Sequence, residues 1–411
     1  MSIEVVTSPG GIEAWLVEDR FVPAFTMHYA FAGGSAQDAE GKCGLAFLLG
    51  SILSEGRASD AVSFDSHADA LGLRHKFYVQ KDAFCGVIET LSEDRFYAAS
   101  LLRGMLGQPL DPAVVESGRQ RLIDRVAMRL VDPRYVASTC WDAAVFAGHP
   151  YARPIAGTHE SLAAIDTGDL AAYRGRVLAR DTLKVVAVGA IAPSELGSLL
   201  DEAFGALPPT ASLTPIPDVA PAAGGEQVVA ELGVPQSVVV FGMGAVAPDH
   251  VDYAAALVLN NILGERLLEE IRMKRGFAHE VRSSILAWRH TSMLRGSVVA
   301  RNAMVDRVLD LTRHEFRRMA DGDVGADDLD RAKRALIAAR AQLNLGDNNR
   351  TAARLLDGAL AGFGPAYLHA QRVRIGAVSD YDARRVVRRL FDPQNLSVSI
   401  AGAPVVQAEA S

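Results

Sequence analysis

The sequence predicts an α+β fold of two tandem homologous domains, each a mostly antiparallel sheet with helices layered on one face. Three observations carry the expectation: the chain repeats at a fixed offset, strand-like and helix-like stretches are segregated rather than alternating, and one Pro/Gly-rich stretch divides it. Residues 163–189 align without a gap on 376–402, placing Asp169 on Asp382, Val177 on Leu390, Leu183 on Leu396 and Gly189 on Gly402, each pair 213 positions apart. Both copies read as a short helix, from apolar positions at helical spacing, followed by a strand that ends at Gly. Upstream, 121–127 pairs in the same order with 334–340 to within one residue, and Gly148-His149-Pro150-Tyr151 echoes Gly364-Pro365-Ala366-Tyr367. A repeat of this length implies duplication of one domain of about 200 residues.

Within the first copy, 12–16, 24–31 and 76–89 read as strands, and 45–53, 63–72, 94–106 and 112–130 as helices. The stretch 208–225 is dense in Pro and Gly and reads as an extended linker. The expected domains are therefore 1–207 and 226–411.

Composition narrows the functions available. With 411 residues and 49% hydrophobic content there is ample material for two cores. A net charge of -7 gives no electrostatic reason to bind nucleic acid. Clustered arginines such as Arg384, Arg385, Arg388 and Arg389 read as the solvated face of a helix. Cys43, Cys85 and Cys140 match no metal or redox spacing and read as buried thiols. The longest apolar runs, such as 185–191, fall far short of the ~20 residues of a membrane span. Met1-Ser2-Ile3-Glu4 has no basic-then-apolar leader, which favours the cytoplasm, with the periplasm the alternative for a chain whose leader has been removed.

One motif keeps its scaffold and lacks its chemistry: Gly44-Leu45-Ala46-Phe47-Leu48-Leu49-Gly50-Ser51-Ile52-Leu53-Ser54-Glu55-Gly56. Laid on the H-x-x-E-H helix of inverzincin peptidases, the first His falls on Phe47, the Glu on Gly50 and the second His on Ser51. A zinc hydrolase needs imidazoles on one helix face for the metal and a carboxylate to take a proton from bound water. Phe, Gly and Ser do neither. No other H-x-x-E-H or H-E-x-x-H occurs, and His314-Glu315-Phe316-Arg317-Arg318 ends in Arg where the latter needs His.

Val22-Pro23, Gly33-Gly34-Ser35-Ala36-Gln37-Asp38, Gly41-Lys42-Cys43-Gly44-Leu45-Ala46, Gly148-His149-Pro150-Tyr151 with Pro154-Ile155-Ala156-Gly157-Thr158, and Ile271-Arg272-Met273-Lys274-Arg275-Gly276-Phe277-Ala278-His279 together resemble the insulinase, pitrilysin and mitochondrial processing peptidase family of zinc metallopeptidases. The resemblance implies a bilobal chain of the non-catalytic subunit type, in which a homologous zinc-bearing subunit with an intact H-x-x-E-H completes a chamber for extended, unfolded peptides. Zinc is then expected on the partner, with no metal or cofactor bound by this chain and no catalytic residue in it. The family's third ligand, a Glu, falls near Ala127 and Met128, where the nearest acid is Asp124.

The family's substrate-holding Arg falls on Arg272, and its Tyr on His279. Arginine suits peptide carbonyls through its fixed fork of donors. Histidine, with an ordinary pKa of about 6.5, would make the contact pH-dependent as a phenol would not. Where relatives carry a Gly-rich loop before Ser-Arg-Leu, Asn260-Asn261-Ile262-Leu263-Gly264-Glu265-Arg266 leaves almost none. The resemblance admits maturation of small peptide precursors, such as that of pyrroloquinoline quinone. Its alternatives are a purely structural subunit or a peptide-binding scaffold without a peptidase partner.

Overall fold

Apolar runs rich in β-branched residues close into two mixed sheets in the computed structural model, which describes residues 2–55, 72–224, 227–342 and 347–404. The first sheet contains β1 (Glu4–Thr7), β2 (Glu13–Glu18), β3 (Ala24–Ala32), β4 (Arg74–Val79), β5 (Ala83–Leu91) and β6 (Leu183–Gly189), in the order β1-β2-β6-β3-β5-β4. The second contains β7 (Gln227–Glu231), β8 (Gln236–Gly244), β9 (Ala278–Trp288), β10 (Thr291–Arg301) and β11 (Ser397–Gly402), in the order β7-β11-β8-β10-β9. The second order is that of the first from β2 onward, so the repeat seen in the sequence is also a repeat of topology. Pairing is antiparallel except for β2 on β6 and β7 on β11.

The chain divides into two compact units, 1–126 with 154–216 and 342–368, and 127–153 with 217–341 and 369–411. These are not the sequential halves at 1–207 and 226–411. Each unit includes a segment from the other half of the sequence.

In the first unit, one face of the sheet carries Phe25, Met27, Tyr29 and Phe31, packed on Leu45, Leu48, Leu49 and Ile52 of the Leu45–Ser54 helix and on other helices of the unit. The other face carries Trp15, Val17, Ala30, Cys85, Val186 and Val188 against Ala352, Leu355, Leu356 and Ala359 of the Asn348–Leu360 helix. Helices thus cover both faces, not one, and β3 is buried along nearly its whole length. That is why it reads as a continuous apolar run rather than an alternating one.

The second unit is built alike. The helix Pro133–Val145 lies on β8 and β11, opposite the face that packs on Tyr253–Leu267. Trp141 donates to the Ser397 carbonyl at 3.1 Å, and Arg295 pairs with Asp142 at 3.0 Å while stacking over the Trp141 ring. Gly242 admits the indole: a Cβ there would stand 2.7 Å from its ring.

The linker has no regular structure over 208–223, and Gly225 at its end lies outside the described residues. Its first part belongs to the first unit, where Thr214 N–H donates to Gln37 at 2.8 Å. Its second part belongs to the second unit, held by His149 Nε2 to the Pro217 carbonyl at 3.0 Å and by His290 Nδ1 to Asp218 at 2.9 Å.

Several elements differ from expectation. The single strand expected at 76–89 is the β4–β5 hairpin, turned at 80–82. The helix expected at 63–72 lies outside the described residues but for Gly72, which is in a turn. Of the three thiols only Cys85 is fully buried, and burial pushes its pKa up to about 12; Cys43 and Cys140 are half-buried. The arginines of the Asp380–Leu390 helix are exposed on the face opposite Ala383, Val386, Val387 and Leu390, as amphipathic spacing requires. Among the described residues no helix is long and apolar enough to cross a membrane.

Candidate functional site

The degenerate motif forms the Leu45–Ser54 helix of the first unit, and its start is fixed by backbone geometry. Gly44 takes φ +95°, and a Cβ there would meet the Ala156 carbonyl and Gly157 Cα at 2.9 Å, so only Gly fits. The buried Asp38 carboxylate accepts from Gly44 N–H at 2.8 Å and Ala46 N–H at 2.9 Å, satisfying orphan donors at the positive end of the helix. The helix end is tied to β4: Ser54 Oγ donates to the Gly50 carbonyl at 2.8 Å and accepts from Phe77 N–H at 3.0 Å.

Between these anchors the three catalytic positions are inert toward metal. Phe47 packs half-buried against the first core, Gly50 is buried and Ser51 is half-buried. A Cβ on Gly50 would stand 3.5 Å from the Phe84 ring and 3.6 Å from Phe77 Cβ, so these two side chains bound the space into which a longer one would extend. Gly56, the last residue of the motif, lies outside the described residues.

The Pro112–Arg129 helix meets the motif helix through Gly118, whose Cβ would lie 3.0 Å from Ile52, and through an Arg121 to Glu55 ion pair. Ala127 and Met128 are exposed on that helix, and the exposed Asp124 accepts from Gln120 at 3.1 Å. No group of three or more His, Cys, Asp or Glu among the described residues is placed to hold a metal. The donor set does not fit zinc.

The second set of residues lies in the second unit. Tyr253–Leu267 is one uninterrupted helix through Asn260 and Gly264, so the loop expected to be short there is absent altogether. Gly264 faces Ser283 of β9, where even a Cβ would be only 3.7 Å from the serine Cβ. The helix then widens into a π-turn over Leu268–Met273, and a reversal led by Gly276 at φ +62° feeds β9. Gly276 N–H donates to the Arg272 carbonyl at 3.0 Å and Phe277 N–H to that of Ile271 at 2.9 Å.

β9 is the edge strand of its sheet, and its register against β10 slips where Glu280 faces Val299 and Ala278 faces Ala300. His279 is the extra residue of this bulge. Wide helical turns and bulges interrupt regular pairing and re-aim side chains, and both cluster at functional sites. Arg272 sits in the first irregularity and His279 in the second, both exposed.

Their neighbours are committed elsewhere. Glu270 accepts from Lys274 and Arg275, which hold its carboxyl down at about 2, and Glu269 pairs with Lys274 at 2.9 Å. Glu280 pairs with Arg134 and Arg282, each at 2.7 Å. The side chains of Arg272 and His279 make no hydrogen bond or ion pair among the described residues. The resemblance pointed to this pair; the π-turn and the bulge left no readable trace in residue order, since neither requires a particular residue type.

A known family model, that of the peptidase M16 inactive domain, matches residues 164–336, a stretch that includes the Arg272 and His279 segment but not the motif helix. The chain is thus similar to the peptidase M16 family, while its own motif helix carries none of the three zinc-motif residues. It is similar to an uncharacterized zinc protease of Streptomyces coelicolor, with 25% identity over 100% of this chain and 91% of that protein. An uncharacterized zinc protease of Mycobacterium leprae is 25% identical over 68% of this chain, and the match spans 65% of that protein's length.

Among solved structures, a peptidase M16 inactive domain from Pseudomonas fluorescens superposes with a TM-score of 0.89 at 21% identity, covering 99% of each chain. A chain of Complex III2 from Candida albicans superposes with a TM-score of 0.82 at 14% identity, covering 98% of this chain and 96% of that one. The inactive M16 fold is therefore present along the whole length, and within it the catalytic positions are packed with Phe and Gly.

Proposed function

We propose that this inactive M16 chain is the non-catalytic subunit of a heterodimeric zinc peptidase. It contributes chamber wall and substrate contacts while a homologous H-x-x-E-H subunit supplies the zinc and the water that attacks the peptide bond. The observation that carries the reading is the Leu268–Met273 π-turn and the His279 bulge, which leave an arginine and a histidine exposed and unpartnered in a chain whose own metal positions are closed. A side chain kept free of intramolecular pairs can engage a ligand without first breaking an ion pair. Arg272 offers a planar fork of donors to peptide carbonyls, and His279 a single ring donor. The substrate is then an extended peptide, and small peptide precursors of the kind that mature into redox cofactors belong to that class.

The test is co-expression with a similar-length H-x-x-E-H protein encoded nearby, followed by co-purification and a peptide-cleavage assay. The pair is expected to cleave only together, and Arg272→Ala to lower kcat/KM by about tenfold, as loss of a charged substrate contact does. Failure of the two chains to associate, or unchanged kinetics in Arg272→Ala, overturns the reading. A purely structural subunit is the second reading, favoured by the respiratory-complex chain of like fold; it predicts association with a partner and no effect of Arg272→Ala.

A further inference from the structure

The charges of the arm do not cancel. Along 268–282 every carboxylate is already bound: Glu269 to Lys274, Glu270 to Lys274 and Arg275, and Glu280 to Arg134 and Arg282. Lys274, Arg275 and Arg282 are thereby neutralised in place. Arg272 is left as the one guanidinium of this segment without a counter-ion among the described residues, with Met273 exposed next to it and the exposed His279 seven residues on. An incoming carboxylate meets no free acid to repel it and no competing partner to displace. An incoming ammonium or guanidinium meets carboxylates that already have cations.

We propose that the arm reads a carboxylate, so that the peptide held at Arg272 is acidic there, through an Asp or Glu side chain or through its own C-terminus. The proposal rests on the reading of the arm as a substrate contact and adds its chemical class. Bidentate donation from a guanidinium to a carboxylate is stronger and more directional than donation to one carbonyl. Met273 supplies an apolar surface for the neighbouring residue of the ligand.

Short, unstructured, fluorescein-labelled peptides with glutamates near the C-terminus, their glutamine counterparts, and amidated forms of both are titrated at low ionic strength against the full chain, alone and in complex with its partner. The acidic peptide is expected to bind about three- to tenfold more tightly than the glutamine one, the range of an exposed but bidentate pair. The preference should shrink with added salt. Arg272→Gln abolishes it, Arg272→Lys restores part of it, and Arg384→Gln on the Asp380–Leu390 helix, a control arginine paired with Asp380, leaves it whole.

Loss of the preference on Glu→Gln exchange assigns it to the side chain, and loss on amidation to the terminus; either supports the proposal. Equal binding of acidic and neutral peptides overturns it, as does a preference that survives Arg272→Gln. If those peptides bind alike and Arg272→Ala weakens both alike, the substrate contact stands and the carboxylate preference falls. If no peptide binds the chain in either form, both fall.

Discussion

Gly50 shows how a lost catalytic residue is absorbed by packing. Glycine inside a helix costs roughly 1 kcal/mol relative to alanine, and no metal offsets it here. The sequence showed the cost, but its context comes from Phe77 and Phe84 on the β4–β5 hairpin, which no local pattern links to the helix. The Phe84 ring and the Phe77 Cβ stand 3.5 to 3.6 Å from where a Cβ would be, an ordinary van der Waals distance. A methyl therefore fits and a carboxylate does not. Gly50→Ala is expected to raise unfolding stability by about 0.5–1 kcal/mol in urea titrations. Gly50→Glu, the residue of the H-x-x-E-H motif, is expected to lower it by about 2–3 kcal/mol, because a buried charge must displace the Phe84 and Phe77 side chains. A loss of stability in Gly50→Ala would mean that the helix needs its present approach to Phe84 to within less than a methyl group.

Among the elements, the Asn348–Leu360 helix was the least legible. Its apolar stripe of Ala352, Leu355, Leu356 and Ala359 is narrow, and a stripe does not say which sheet it covers. Part of its docking is polar. Asn349 Nδ2 donates to Glu89 at 2.8 Å, which leaves its Oδ1 to accept from His28 Nε2 at 2.8 Å. With that tautomer fixed, the buried His28 Nδ1 is a bare acceptor with no partner among the described residues. Burial is the main cause that lowers the pKa of His28, against smaller upward pulls from Asn349 and Glu89. Its folded value thus lies below the ordinary 6.5, and the unfolded chain takes the proton first. The contribution to stability is complete above about pH 6.5 and is lost as the pH falls from there toward the depressed folded value. The melting temperature should therefore drop between pH 7 and pH 5 by more than in His28→Gln. Parallel pH profiles of the two proteins would sink the assignment.

For the whole molecule, the duplication was legible because helix and strand are repeated at the same 213-residue offset in both copies, and β2-β6-β3-β5-β4 recurs as β7-β11-β8-β10-β9. The exchange of segments was not. The Pro133–Val145 helix lies in the first copy and packs in the second unit, while its counterpart in the repeat, Asn348–Leu360, does the reverse. Sequence order assigns a helix to a copy, but only burial assigns it to a core. A cut at 216/217, where the linker passes from one unit to the other, should therefore not release two folded domains. The fragment 1–216 would leave the face of Trp15, Val186 and Val188 uncovered, and 217–411 would lose the cover that Trp141 and its helix give β8 and β11. Each exposed sheet face is apolar and cannot be left in water without association. Each fragment alone is expected to bind a hydrophobic dye and to melt without a cooperative transition, and co-expression to restore a soluble pair with the Trp141 fluorescence of the intact chain. Two fragments that each stay monomeric and melt cooperatively would show that the exchanged helices are dispensable covers rather than parts of the cores.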